Sequence, residues 1–354
     1  MKILVTGGTG FTGSALSFRL LEEGHDVRIL DYQEGIRDGA LREAGAEIHY
    51  GSVTDLEEVR EAVSGCDFVF HVAAAFRELD RPESFYRQVN VGGTRNVMRA
   101  AREERVEKVV YCSTQGVHGH IDDPPGDESS PIEPEDHYQQ TKYEGEDVVR
   151  EFIDAGMNAT ILRPTAIYGP GDPERFFMIY RFVERGWFPM FGDGETHYHP
   201  VYIDNLVDAF LLTLDPEKGR GETYLIGDEE YVPIERLVRQ VADAMETNVR
   251  IVHLPFLPLL FAAHACEKIC DLVGVTPPLF PRRADWYRQE RAFQIEKARH
   301  ELGYEPRVGL AEGLRRTAEW YWEEGYLEDP RSDIEQSPSR EPSGAVPVEG
   351  AASR

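Results

Sequence analysis

Lysine is scarce in this chain. Only six of the 38 basic side chains are lysine, and 64 carboxylates outnumber the total, leaving a formal net charge of −26 over 354 residues. A phosphate backbone is gripped by clustered cations, so nucleic acid is not an expected partner. The excess of carboxylates fits either a well-solvated surface or a salty cytoplasm, where dissolved ions screen their mutual repulsion. Cysteine is sparse as well. Cys66, Cys112, Cys266 and Cys270 make no disulfide framework, and no second Cys or His pair completes a zinc-like set around the last two. No metal site is expected. Long apolar runs are also missing. The opening run Ile3–Val5 is too short for the apolar core of a signal peptide and breaks at once into glycines. Ile251–Cys266 falls short of the roughly 20 residues of a membrane span, and Pro255, Pro258, His253 and His264 interrupt it. A cytoplasmic chain without a membrane span is expected, with 251–266 a buried or substrate-covering helix. Peripheral membrane contact is the lesser alternative.

What the chain does have, at its start, is a glycine-rich turn. A short apolar run leads into Thr6-Gly7-Gly8-Thr9-Gly10-Phe11-Thr12-Gly13, and an amphipathic stretch continues to Glu23. Strand, G-x-x-G-x-x-G turn and helix, in that order, suit a dinucleotide pyrophosphate. Glycine lets the backbone turn tightly and approach the phosphates, while free N–H groups at the helix start attract negative charge. The run Asp26–Asp31 then ends in an acid 18 residues after Gly13, near the offset of a carboxylate that grips the adenosine ribose.

Six short buried strands are expected at 3–5, 27–30, 47–50, 68–71, 108–112 and 159–162, separated by helices near 11–23, 36–44, 55–63, 83–104 and 137–155. Repeated strand–helix units imply a doubly wound parallel α/β sheet with ligands at the carboxyl ends of its strands. Residues 1–165 should form this cofactor domain, with segments near 200–227 returning to it. A smaller substrate lobe should come mainly from 166–327, where loops rich in Gly and Pro alternate with helices. The aperiodic Pro/Ser/Glu/Gly stretch 328–354 reads as a disordered tail.

Tyr138 and Lys142 lie four residues apart at the start of a long helical pattern, which places them on one face. A tyrosine with an ordinary pKa of about 10 is a poor base at neutral pH; a nearby ammonium and a positively charged nicotinamide favour its phenolate. Upstream, Tyr111-Cys-Ser-Thr114-Gln-Gly-Val-His118-Gly119 follows the fifth expected strand. A hydroxyl there can hydrogen-bond the substrate oxygen whose proton Tyr138 moves.

Taken in order, these landmarks resemble an extended short-chain dehydrogenase/reductase of the NAD-dependent epimerase/dehydratase type, over residues 1 to about 326. His71-Val-Ala-Ala74, Asn90 in Val89-Asn-Val-Gly-Gly-Thr94, and Arg163-Pro-Thr-Ala-Ile-Tyr-Gly-Pro170 complete the match. The resemblance implies a Rossmann fold and NAD as cofactor. It casts Thr114 in the Ser/Thr role, Tyr138 as acid/base and Lys142 as the residue orienting the nicotinamide ribose. Gly7, Gly10, Phe11, Thr12, Gly13, Asp31, Ser52, Val53, Val72, Ala73, Ala74, Asn90 and Pro164 would contact the cofactor, Asp31 favouring NAD over NADP. Thr114, Gln115, His118 and Tyr198 would face a small-molecule substrate, and a homodimer is possible.

The chain departs from that family pattern in several places. Ser52 stands where many relatives carry an aspartate, and His118 replaces the usual Tyr of a V-Y-G turn. Tyr198 occupies the place aligned with an arginine that clasps a sugar nucleotide's diphosphate, a contact that a neutral phenol cannot replace. His197 and His199 are either partly charged substitutes or ordinary polar residues, and Arg175, Arg282 and Arg283 are other cations of this lobe. The apolar stretch after 250 is more similar to the branch of 3β-hydroxysteroid dehydrogenase-like and 3-oxoacyl reductases. A dehydrogenase for hydrophobic alcohols or ketones is therefore expected. A nucleotide-sugar 4-epimerase or dehydratase is the first alternative, and a non-catalytic NAD-binding sensor the second.

Overall fold

The computed structural model describes residues 1–76, 81–172, 176–273 and 285–329. Strands β1 (Lys2–Thr6), β2 (Asp26–Asp31), β3 (Glu47–Tyr50), β4 (Phe68–His71), β5 (Lys108–Cys112) and β6 (Ala159–Pro164) form one sheet, joined beside β6 by β11 (Thr223–Ile226). The order is β3-β2-β1-β4-β5-β6-β11, and every pairing is parallel. This confirms the doubly wound α/β class.

The side-chain period of two explains why these strands read as continuous apolar runs. Ile3, Val5, Phe68, Phe70 and Val110 face one way, into a cluster with Leu16 and Leu20 of α1 (Phe11–Glu22) and Leu206 and Phe210 of α8 (Ile203–Leu212). Leu4, Val69, Val109 and Tyr111 face the other way, against Val59, Val97 and Val148. Those residues lie on α3 (Leu56–Val63), α5 (Thr94–Glu103) and α6 (His137–Asp154). Each such buried side chain stabilises the fold by about 1.5–3 kcal/mol relative to exposure.

Helix starts follow local chemistry. Asp55 accepts from the Glu57 and Glu58 amides at the start of α3, and Asp136 accepts from the Gln139 amide at 2.8 Å at the start of α6. The expected single helix 83–104 is interrupted. Between α4 (Glu83–Arg87) and α5, Gln88–Gly93 winds as a π turn, a local widening that re-aims side chains. A six-residue helix α2 (Asp38–Glu43) lies between β2 and β3.

The later segments build small parallel and antiparallel pairs. Ala166–Tyr168 (β7) pairs with Pro200–Tyr202 (β10), Trp187–Phe191 (β8) with Arg250–Leu254 (β13), and His197–Tyr198 (β9) with Val232–Pro233 (β12). Helices α7 (Phe177–Glu184), α9 (Ile234–Ala244) and α11 (Leu310–Glu323) pack around them. The expectation for 251–266 needs correction. The segment divides at Leu254 into strand β13 and helix α10 (Phe256–Val273), because Pro255 cannot continue the ladder but is tolerated before a helix. Nor is α10 buried: Leu257, Phe261 and Ile269 are 65%, 74% and 60% exposed. Among the described residues no helix is long and apolar enough to cross a membrane. The expected tail, apart from 328–329, and Arg175, Arg282 and Arg283 lie outside the described residues.

Candidate functional site

The sheet order reverses between β1 and β4, so the crevice at their carboxyl ends is where a ligand fits. Most of the expected cofactor residues stand along that edge. Gly7 follows β1, Asp31 ends β2, Ser52 and Val53 follow β3, Val72–Ala74 follow β4, and Pro164 ends β6.

The glycine turn has the shape a pyrophosphate needs. Gly7 adopts φ +69°, and a Cβ on it would lie 2.7 Å from the Ala73 backbone; one on Gly13 would lie 2.0 Å from the Gly7 carbonyl. Side chains at either position would force the turn open. Gly10 precedes α1 without any side-chain cap, so the amides of Phe11, Thr12 and Gly13 in the first helical turn keep their donor capacity for an anion. Asp31, 8% exposed, accepts from the Thr9 hydroxyl (2.7 Å), the Thr9 amide (3.1 Å) and the Tyr32 amide (2.8 Å). Its carboxylate thus buttresses the glycine turn and retains a lone pair for a ribose. The Gln115 Oε1 and Thr165 Oγ1 atoms, just past β5 and β6, are buried without a partner among the described residues. A buried polar atom left unpaired is costly, and a polar ligand at the strand ends is a fitting partner. The residues present therefore fit a nicotinamide dinucleotide.

Other expected cofactor residues also make internal contacts. Asn90, carried in the π turn, accepts from the Ala75 amide (2.8 Å) and donates to the Thr141 hydroxyl (3.0 Å). It ties the loop after β4 to α6. The Ser52 hydroxyl pairs with that of Thr54 at 2.8 Å, and Val53 is buried under Gly93.

On α6, Tyr138 is half-buried, with the Phe76 ring edge-on at 4.8 Å between centroids. Lys142 is fully buried, its ammonium 4.2 Å from the centre of the Tyr111 ring. Burial lowers its pKa to about 8, against the opposing influence of Cys112 and Glu146, so it stays charged at neutral pH. Thr114 is half-buried at the carboxyl end of β5. Its Oγ1 accepts from the Gly116 amide at 3.1 Å, which leaves its proton to donate.

Two expected substrate residues lie inside the protein instead. His118 is fully buried, its ring nitrogens engaged by Arg163 at 2.9 Å and by the Ser130 and Pro131 carbonyls at 3.1 and 3.0 Å. Tyr198 is 6% exposed and packs against the Phe176 and Trp286 rings. Its neighbours are also committed. His197 pairs with Glu290 at 3.0 Å. His199 bonds the Asp228 carbonyl at 2.8 Å, and burial pulls its pKa down to about 4, leaving it uncharged at neutral pH.

The sequence reading overlooked Glu146. It is fully buried and accepts from Arg163 Nε (2.9 Å) and Nη2 (2.6 Å), from the Ser113 hydroxyl (2.5 Å) and from Arg150. The signal was available: Tyr138, Lys142 and Glu146 repeat at intervals of four, one row on a helix face. Phe76 carried no comparable mark, since one aromatic in a loop has no period.

Comparison with known proteins agrees with this geometry. The model of the NAD dependent epimerase/dehydratase family matches residues 3–227. A 2-alkyl-3-oxoalkanoate reductase of Stenotrophomonas maltophilia is 32% identical over 330 residues, covering 89% of this chain and 98% of that protein. A 3 beta-hydroxysteroid dehydrogenase/Delta 5-->4-isomerase of Mycobacterium tuberculosis is 29% identical over 337 residues, covering 90% of each. A solved dTDP-glucose 4,6-dehydratase of Streptomyces venezuelae, with NAD and TYD bound, is 28% identical with TM-score 0.74, covering 93% of this chain and 99% of that one. With a tight glycine turn before α1 and a family match over most of the sheet, this chain belongs to the NAD dependent epimerase/dehydratase family, extended short-chain dehydrogenase/reductase enzymes whose cofactor is NAD.

Proposed function

We propose that this enzyme interconverts a hydrophobic secondary alcohol, steroid-like or 3-oxoacyl-like, and its ketone. Tyr138 moves the proton of the substrate oxygen, Thr114 donates a hydrogen bond to that oxygen, and Lys142 orients the nicotinamide ribose. NAD, when bound, takes up the hydride from the carbinol carbon or returns it. The position of Tyr138 in the first turn of α6 favours its phenolate, because the positive end of the helix dipole lies there. Lys142, one turn further on the same face, adds a full positive charge where burial weakens screening. Residues 1–165, with 200–227, hold the cofactor in this reading, and the rest of 166–327 shapes the substrate site.

One observation carries the substrate class: the place aligned with a diphosphate-clasping arginine holds Tyr198, buried among Phe176 and Trp286 between two committed histidines. A diphosphate left without a cation there would lose charge-assisted bonds about twice as strong as neutral ones. The similarity to the 2-alkyl-3-oxoalkanoate reductase and the 3 beta-hydroxysteroid dehydrogenase supports the same reading. The similarity to the solved dTDP-glucose 4,6-dehydratase supports the alternative, a nucleotide-sugar epimerase or dehydratase. A side-by-side assay decides. NAD-linked oxidation of long-chain and polycyclic secondary alcohols is expected, with weak binding of UDP-sugars. Efficient UDP-glucose/UDP-galactose interconversion with no hydrophobic turnover would promote the alternative. NAD binding with no turnover of either class would point to a sensor.

Asp31 provides a test of the cofactor end. Asp31→Ala removes a ribose acceptor and also the acceptor of both Thr9 bonds, so NAD affinity should fall by roughly 10- to 100-fold, about the 1.5–3 kcal/mol of one hydrogen bond to a charged group. The preference for NAD over NADP should narrow, since no carboxylate then repels a 2′-phosphate. Titration with both dinucleotides checks this, and an unchanged NAD/NADP ratio would remove Asp31 from the assignment.

A further inference from the structure

Ser113, Glu146, Arg163 and His118 close a buried ring of contacts around the end of β5. The Ser113 hydroxyl donates to Glu146 Oε1 at 2.5 Å, and Arg163 reaches both Glu146 oxygens at 2.9 and 2.6 Å. Arg163 Nη1 lies 2.9 Å from His118 Nε2. The 3₁₀ helix Gln115–His118, capped by Thr114, returns the path through the backbone to Ser113. All four side chains are buried.

The ring also fixes the state of His118. A carbonyl oxygen only accepts, so Nδ1, which faces the Ser130 and Pro131 carbonyls, carries the proton. A guanidinium only donates, so Nε2 presents its lone pair to Arg163. Each nitrogen thus does one thing, and neither is left to meet a substrate.

We propose that His118, with its proton on Nδ1, is a positioning residue that sets the spacing of Thr114 and Tyr138 through Arg163 and Glu146. Thr114 opens the short helix that His118 ends. Tyr138 sits two turns before Glu146 on one row of α6. The Arg163–Glu146 pair therefore joins the two hydroxyl-bearing elements, and His118 clamps that pair to the Thr114 side. Its Nδ1 also pins the loop from 119 to 136, which leads from one hydroxyl to the other. A misplacement of about 1 Å at such a pair can cost on the order of 10²-fold in rate. The Tyr of a V-Y-G turn cannot serve in this way. A phenol has a single oxygen, whereas an imidazole donates at one edge and accepts at another.

The proposal rests on the roles given above to Thr114 and Tyr138, so its test includes a readout that needs no turnover. His118→Phe keeps a ring and removes both polar atoms, while His118→Asn keeps a donor toward the two carbonyls. NAD affinity, kcat, KM and amide hydrogen exchange over 119–136 are measured on the full chain. His118→Phe should leave NAD affinity and KM within about threefold, lower kcat tenfold or more, and speed exchange over 119–136. His118→Asn should recover part of the exchange protection and of kcat. Wild-type kcat in His118→Phe, or a loss of NAD affinity as large as the loss of kcat, would overturn the proposal. If His118→Phe does not fold, wild-type kcat in His118→Asn overturns it and a reduced kcat at native NAD affinity supports it. If the wild-type enzyme turns over neither substrate class, the functional reading fails separately. Exchange then decides the clamp alone, and unchanged protection in the variants sinks it.

Discussion

Tyr138→Phe should fold normally, bind NAD with nearly native affinity, and turn over its substrate about 10²–10⁴ times more slowly, the usual contribution of general acid–base help. In the proposed mechanism the phenol ring carries the packing and its oxygen the chemistry. The ring meets Phe76 edge-on, a contact that phenylalanine keeps, whereas only the hydroxyl can take up or release the proton on the substrate oxygen. Loss should appear in kcat more than in KM, because the interaction removed is made chiefly in the transition state. Thermal unfolding and NAD titration check the first two statements and steady-state kinetics the third. A variant that keeps more than a tenth of wild-type turnover would exclude Tyr138 as the acid/base.

Glu146→Gln should be the most destabilising single change at the site. The carboxylate is fully enclosed and serves Arg163, Arg150 and Ser113 together. Its neutral replacement leaves the buried Arg163 guanidinium without its counter-charge, and breaking a buried pair in this way typically costs about 3–5 kcal/mol. The pH dependence follows. Burial pushes the Glu146 pKa up, but the Arg163 bonds and charge, helped by Ser113 and Arg150, bring it net below the ordinary value. An acid with a lowered folded pKa stabilises the fold above its unfolded pKa, about 4.3, and that stability is lost as pH falls through the folded value. The deficit of Glu146→Gln relative to wild type should therefore be full at neutral pH and shrink below about pH 4. Denaturant unfolding at several pH values measures it; a deficit under about 1 kcal/mol at pH 7 would show that the pair contributes little.

Local pattern, read from the sequence alone, determined the sheet and the cofactor crevice. Strand residues buried on both faces stand out as short apolar runs, and Gly7 and Gly13 must be glycine because backbone lies 2.7 and 2.0 Å from where their side chains would be. Tyr138 and Lys142 were legible because a helix brings residues four apart onto one face. The later segments were less legible. Pro255 splits one apolar run into a strand and an exposed helix, a division that depends on β13 finding β8, some 60 residues earlier, as its partner. The fate of polar side chains was decided only by the tertiary structure. His118 and Asn90 carry groups that suit a ligand, and nothing local distinguishes a polar atom facing a cleft from one satisfied inside. That distinction rests on Arg163 and Thr141, which lie 45 and 51 positions away in sequence, so it exists only once the chain has folded.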